Sequence, residues 1–162
     1  MQNILGISLK VKHLGLAVLY GGELTEFRVR TFYGAWTDEK RNDILRTIKK
    51  MIERYEIVKV VVKAPKPTHC SDAILAVLRD IERHTEQSKI EIAFCKMADL
   101  NKLFSEDGRG NRRQLIHAIC KRYPSNKQLA ILCEKERNSK NPYHVKVFEA
   151  IACAELGLGT EL

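Results

Sequence analysis

The chain has 162 residues, 44% of them apolar and 30% charged. That is the balance of a globular domain and excludes a low-complexity or membrane-embedded chain. Twenty-eight Lys and Arg against 20 Asp and Glu leave a net charge of +8, which favours polyanionic partners, nucleic acid first among them.

One domain over residues 1–162 is the simplest expectation at this length. No apolar run is long enough to cross a bilayer, and no basic segment precedes an apolar one at the N-terminus. No membrane partner is therefore expected, and the expected location is the cytoplasm. The five cysteines, Cys70, Cys95, Cys120, Cys133 and Cys153, are scattered and odd in number, with no Cys-x-x-Cys pair. This argues against a disulfide framework and a zinc site, and favours small core residues.

The first apolar run, Asn3 to Leu9, reads as a strand buried on both faces. His13 to Tyr20 and Glu23 to Phe32 read as two further strands, joined by a Gly21-Gly22 turn. Thr37 is a good N-cap, with Asp38 and Glu39 suited to the positive end of a helix. Leu45, Ile48, Met51, Ile52 and Tyr55 form the inner stripe of that helix, and Arg46, Lys49, Lys50 and Arg54 its outer face. Ile57 to Val62 is a buried fourth strand, ending in Lys63-Ala64 before Pro65 and Pro67 stop it. Ser71-Asp72 opens a second helix, with Ile74, Val77, Leu78 and Ile81 inward. Lys89 to Cys95 is a fifth strand. Strand–helix–strand–helix–strand in this half implies right-handed crossovers and parallel pairing.

A short helix is expected over Ala98 to Phe104. The polar segment Ser105 to Arg113 follows, and Asn111 with Gln114 forms a capping box for the next helix. Leu115, Ile116, Ile119, Cys120 and Tyr123 are its apolar stripe, and Pro124 ends it. Ser125 and Gln128 repeat the box, with Leu129, Leu132 and Cys133 inward. After an Arg137 to Pro142 loop, the last helix is expected from about Tyr143 to Leu156. Val145, Phe148, Ala152 and Leu156 make its stripe, and Gly157 and Gly159 end it.

This order of elements resembles the ribonuclease H-like arrangement. The expected fold is α/β, with a five-stranded mixed sheet, its first three strands antiparallel, flanked by helices on both faces. Within that superfamily the chain resembles RuvC-type Holliday junction resolvases. Ile4-Leu-Gly-Ile-Ser8 matches a first strand that normally reads Ile-Leu-Gly-Ile-Asp. Val60-Val-Val-Lys-Ala-Pro65 matches a fourth strand that carries a Glu. Gly108-Arg-Gly-Asn-Arg-Arg-Gln-Leu115 resembles the family's Gly-x-Gly-x-x-Lys-x-Gln segment. Glu149-Ala-Ile-Ala152 stands where the terminal helix reads Asp-Ala-Leu-Ala.

The resemblance implies metal-assisted phosphodiester hydrolysis by acids converging from the first strand, the fourth strand and the last helix. Here those positions hold Ser8, Lys63 or Ala64 depending on a one-residue register, and Glu149. One carboxylate and one hydroxyl are too few for two magnesium ions, which need anionic oxygens. Asp72 and His144 are the available substitutes. The expectation is a scaffold kept and a metal site lost, with no cofactor and without two-metal nuclease activity.

Nucleic-acid binding would then rest on Arg109, Arg112 and Arg113 around a helix N-terminus, whose free amides favour phosphate, and on Lys121, Arg122 and Lys127. The partner is expected to be DNA, branched DNA included, with a homodimer suggested by the resemblance. Two alternatives stand beside this. One is an active structure-selective endonuclease with a rearranged Mg²⁺ or Mn²⁺ site. The other is a non-catalytic protein-interaction subunit.

Overall fold

The computed structural model describes residues 2–63, 65, 66, 68, 70–105, 110–137 and 144–159. Its strands are β1 (Ile4–Leu9), β2 (His13–Tyr20), β3 (Glu23–Thr31), β4 (Lys59–Lys63) and β5 (Glu91–Cys95). Its helices are α1 (Asp38–Arg54), α2 (Asp72–Gln87), α3 (Met97–Lys102), α4 (Arg112–Arg122), α5 (Lys127–Arg137) and α6 (Val145–Leu158). The sheet order is β3-β2-β1-β4-β5. β1, β2 and β3 pair antiparallel, while β1, β4 and β5 run parallel. Gly21 and Gly22 turn the β2–β3 hairpin at positive φ, which side chains resist.

Strand side chains alternate between faces. Leu5, Ile7 and Leu9 of β1, with Leu14, Leu16, Val18, Val60 and Val62, point to a layer made by α1 and α2. Ile4, Ala17, Leu19 and Val61 point to the opposite layer, made by α3 to α6. The α1 and α2 caps form as the sequence suggests. Thr37 accepts from the Lys40 amide at 3.2 Å and Ser71 from the Ile74 amide at 3.3 Å. An Arg41–Asp80 pair at 2.6 and 2.8 Å ties the two helices together. Among the described residues no helix is long and apolar enough to cross a membrane.

Helix α6 is the centre of the second layer. The expected single stripe is too narrow a description, because residues from Val145 to Gly157 are buried all round. The sheet lies beneath them, and α3 and α4 pack against the same helix. Two glycines allow the close approach. A Cβ on Gly6 would stand 1.9 Å from the Ala150 carbonyl oxygen, and one on Gly15 would stand 2.0 Å from that of Lys146. Gly157 meets Ile4 and Val61 at the other end of the helix. α6 therefore begins over the carboxyl tips of β1 and β4 and ends over their starts.

Three local expectations need correction. Asn126, not Ser125, caps α5, its Oδ1 accepting from the Leu129 amide at 3.0 Å. α3 is shorter than expected and ends at Lys102. Cys120 and Cys133 form a disulfide between α4 and α5, where small core thiols were expected. Packing of α5 against α4 brings the pair together, and cysteine spacing alone carries no sign of it. The other buried pair, Cys95 and Cys153, remains as thiols with sulfurs 3.6 Å apart.

Candidate functional site

Register builds the site. Ser8 pairs with Gly15 on one side and Lys63 on the other, and Lys63 pairs with Cys95. Gly15, Ser8, Lys63 and Cys95 thus form a row across β2, β1, β4 and β5. Ser8 shares a face with Gly6, and Lys63 shares one with Val61, so the row lies beneath α6. Lys146 of α6 sits over Gly15, Glu149 over Ser8 and Lys63, and Cys153 against Cys95.

Glu149 Oε2 is the focus. The Ser8 hydroxyl donates to it at 2.6 Å, and the Lys146 ammonium at 2.5 Å. The Lys63 ammonium lies 3.3 Å from the same oxygen. Ser8, Lys146 and Glu149 are buried to within 4% of full enclosure, while the Lys63 side chain is 16% exposed. The position matched to the fourth-strand acid therefore includes a lysine turned into the site. Ala64, the other register, lies outside the described residues.

The electrostatics follow from this enclosure. Burial pushes the Glu149 carboxyl up, but the charges of Lys146 and Lys63, with the hydrogen bonds from Lys146 and Ser8, outweigh it. The net direction is down, and Glu149 is a carboxylate. Burial lowers Lys146 from 10.5 to about 8, against the pull of Glu149 and with the push of Lys63 and Lys10. The cluster is two cations on one anion.

Such a donor set does not fit a pair of divalent cations. Ser8 supplies a neutral oxygen, Lys63 and Lys146 supply positive charge, and the one carboxylate oxygen is already engaged three times. A metal ion would have to displace both ammonium groups while gaining a single anionic ligand. Among the described residues no group of three or more His, Cys, Asp and Glu is placed to hold a metal.

The suggested substitutes do not join this cluster. His144 bonds through Nδ1 and its backbone amide to Glu136 of α5. Asp72 is exposed in the first turn of α2, in the layer on the far side of the sheet. Lys146 is the member that sequence reasoning missed. Its signal was its place one turn before Glu149 on the same helix face, a spacing at which Lys and Glu meet.

The basic positions divide. Arg112 and Arg113 are exposed at the start of α4, next to the Asn111–Gln114 capping box, both of whose bonds form at 3.0 Å. Lys121 and Lys127 are exposed. Arg122 is engaged at 2.8 Å by the buried carboxylate of Glu155 on α6, which makes it a tie between helices as well as a surface charge. Arg109 lies outside the described residues.

No protein-family model matches the chain, and no curated protein matches it in sequence. Solved structures do. The structure of Thermus thermophilus RuvC superposes with a TM-score of 0.73 over 96% of this chain and 92% of that one, at 13% identity. The yeast mitochondrial Holliday junction resolvase Ydc2 gives 0.61 over 96% and 78%, at 10% identity. The fowlpox virus resolvase in complex with substrate Holliday junction DNA gives 0.57 over 95% of both chains, at 10% identity. With its β3-β2-β1-β4-β5 sheet and helices on both faces, the chain has the ribonuclease H-like fold of RuvC and other Holliday junction resolvases.

Proposed function

We propose that this chain is a resolvase-like protein that binds branched or double-stranded DNA through a basic surface and lacks two-metal nuclease chemistry. The observation that carries the second half is the engagement of Glu149 by Lys63, Lys146 and Ser8. Function belongs to the site and not to the fold, and this site holds its own cations.

Binding is supported by the net charge of +8 and by the exposed cations Arg112, Arg113, Lys121 and Lys127 on α4 and α5. The fowlpox enzyme and T. thermophilus RuvC, which have this fold, are known in complex with Holliday junction DNA. Contacts of Arg and Lys with phosphates are independent of sequence and weaken as salt rises. In this reading the chain works in the cytoplasm as a homodimer, which sedimentation equilibrium of the free protein tests.

The deciding experiment incubates a four-way DNA junction with micromolar protein at low salt, with and without Mg²⁺ or Mn²⁺. The expected result is a mobility shift and no cleavage. Metal-dependent cleavage that Glu149→Ala abolishes would replace this proposal with the rearranged nuclease. An unshifted junction, with a stoichiometric protein partner recovered in its place, would replace it with an interaction subunit.

A further inference from the structure

The positive charge at the strand tips exceeds what Glu149 balances. Lys10 and Lys12 are exposed in the β1–β2 turn, which the Lys10 amide closes onto the His13 carbonyl at 2.8 Å. Lys63 closes β4 beside Ser8, two residues before Lys10, and Lys146 stands over Gly15 in the first turn of α6. The four lysines act within one field. Lys146 is depressed by burial first and then by Lys63 and Lys10, despite Glu149. His13 is held below its ordinary value by burial, then by Lys146, Lys10 and Lys12. An ammonium has three donors. Lys63 meets Glu149 at 3.3 Å and still reaches solvent. The first turn of α6 faces the same point, and its dipole adds to the positive potential.

We propose that Lys63, Lys10 and Lys12 form a metal-independent phosphate site at the tips of β1 and β4, holding one backbone phosphodiester of bound nucleic acid with ammonium groups alone. Lys146 has its charge matched by Glu149, whose Oε2 also draws in Lys63. The site rests on the nucleic-acid reading above and goes further by placing a phosphate within it. It explains why a cation-rich cluster persists under an exposed lysine turn instead of being packed with apolar side chains.

The test measures junction binding by fluorescence anisotropy in EDTA across a salt series, for the full chain and for Lys63→Gln, Lys63→Arg and a Lys10→Gln/Lys12→Gln double variant. It also follows lysine ¹³Cε resonances of the full chain as inorganic phosphate is added. The wild type is expected to bind equally well with and without EDTA. Losing a phosphate contact should reduce the magnitude of the log–log salt slope by about 0.9 in Lys63→Gln. The double variant should show a similar loss, and Lys63→Arg should keep the wild-type slope. Inorganic phosphate should shift the Lys63 resonance.

If Lys63→Gln fails to fold, the exposed double variant and the phosphate titration decide. Wild-type slopes in every folded variant, with no phosphate-induced shift at Lys63, overturn the site while leaving DNA binding intact. Loss of binding in EDTA overturns its independence of metal. A phosphate shift at Lys63 in a protein that binds no junction overturns the nucleic-acid ligand.

Discussion

Ser8, Lys63 and Lys146 converge on a single oxygen of Glu149, so one buried carboxylate carries the charge balance of the whole cluster. A buried ion pair is a weak source of net stability, but removing one partner is costly because the other charge is stranded. Glu149→Gln leaves two ammonium groups around a neutral amide, so it should cost about 3–5 kcal/mol in a urea melt at pH 7. Adding Lys146→Met to that variant should recover much of the loss, since Lys63 alone can turn to solvent. A cost for Glu149→Gln within about 0.5 kcal/mol, the range of an ordinary surface change, would mean that these charges do not meet. Lys146 carries a second prediction. Its folded pKa of about 8 lies below the ordinary 10.5. Below pH 8 both the folded and the unfolded chain hold its proton. Between about 8 and 10.5 the unfolded chain holds more, so this group makes stability rise with pH, by up to about 3 kcal/mol. Lys146→Met should remove that rise, visible as the difference between the two proteins' urea midpoints across the window. Parallel curves would show that Lys146 titrates as if exposed.

The elements were far more legible than the contacts between them. Short strand-like runs and the Gly21-Gly22 turn marked the five strands, Pro65 closed the fourth, and Pro124 with the polar caps punctuated the helices. The row Gly15–Ser8–Lys63–Cys95 was not legible, because parallel register depends on the whole sheet and not on any one strand. The Arg122–Glu155 tie and the Cys120–Cys133 bond were hidden for a related reason, since each depends on how two helices settle against each other. The glycines of β1 and β2 were visible as residues, but their purpose emerged only when α6 was laid across them. That contact makes a prediction at this scale. Gly15→Ala would place a methyl group 2.0 Å from the Lys146 carbonyl oxygen, so α6 must lift where Lys146 and Glu149 sit. The backbone cannot yield as a side-chain tip would, and the cost should reach or exceed about 2 kcal/mol by urea denaturation. A change within about 0.5 kcal/mol would mean that the helix does not approach the sheet this closely.

At the scale of the molecule, the sheet order and α6 bring the ends of β1, β4 and the last helix to one point, whatever side chains occupy it. Departures at Ser8 and at Lys63 or Ala64 were readable against the resolvase pattern, whereas the charge balance at that point was not, because it depends on distances between residues far apart in the chain. If the scaffold is still that of a metal site, restoring anionic oxygens should restore metal affinity. The variant Ser8→Asp, Lys63→Glu, Lys146→Asp would gather four carboxylates around the position of Glu149 Oε2. Without metal, their repulsion and burial should lower the melting temperature well below that of the parent. A metal that binds only the folded chain stabilises it by about 2.7 kcal/mol when supplied at a hundred times its dissociation constant. That is a rise of roughly 5–10 °C for a chain of this size. Thermal melts in EDTA and in millimolar Mg²⁺ should therefore coincide for the parent and separate for the triple variant. Coinciding melts for a folded triple variant would show that the strand tips no longer hold the geometry a divalent ion requires, and that the likeness to resolvases stops at the backbone.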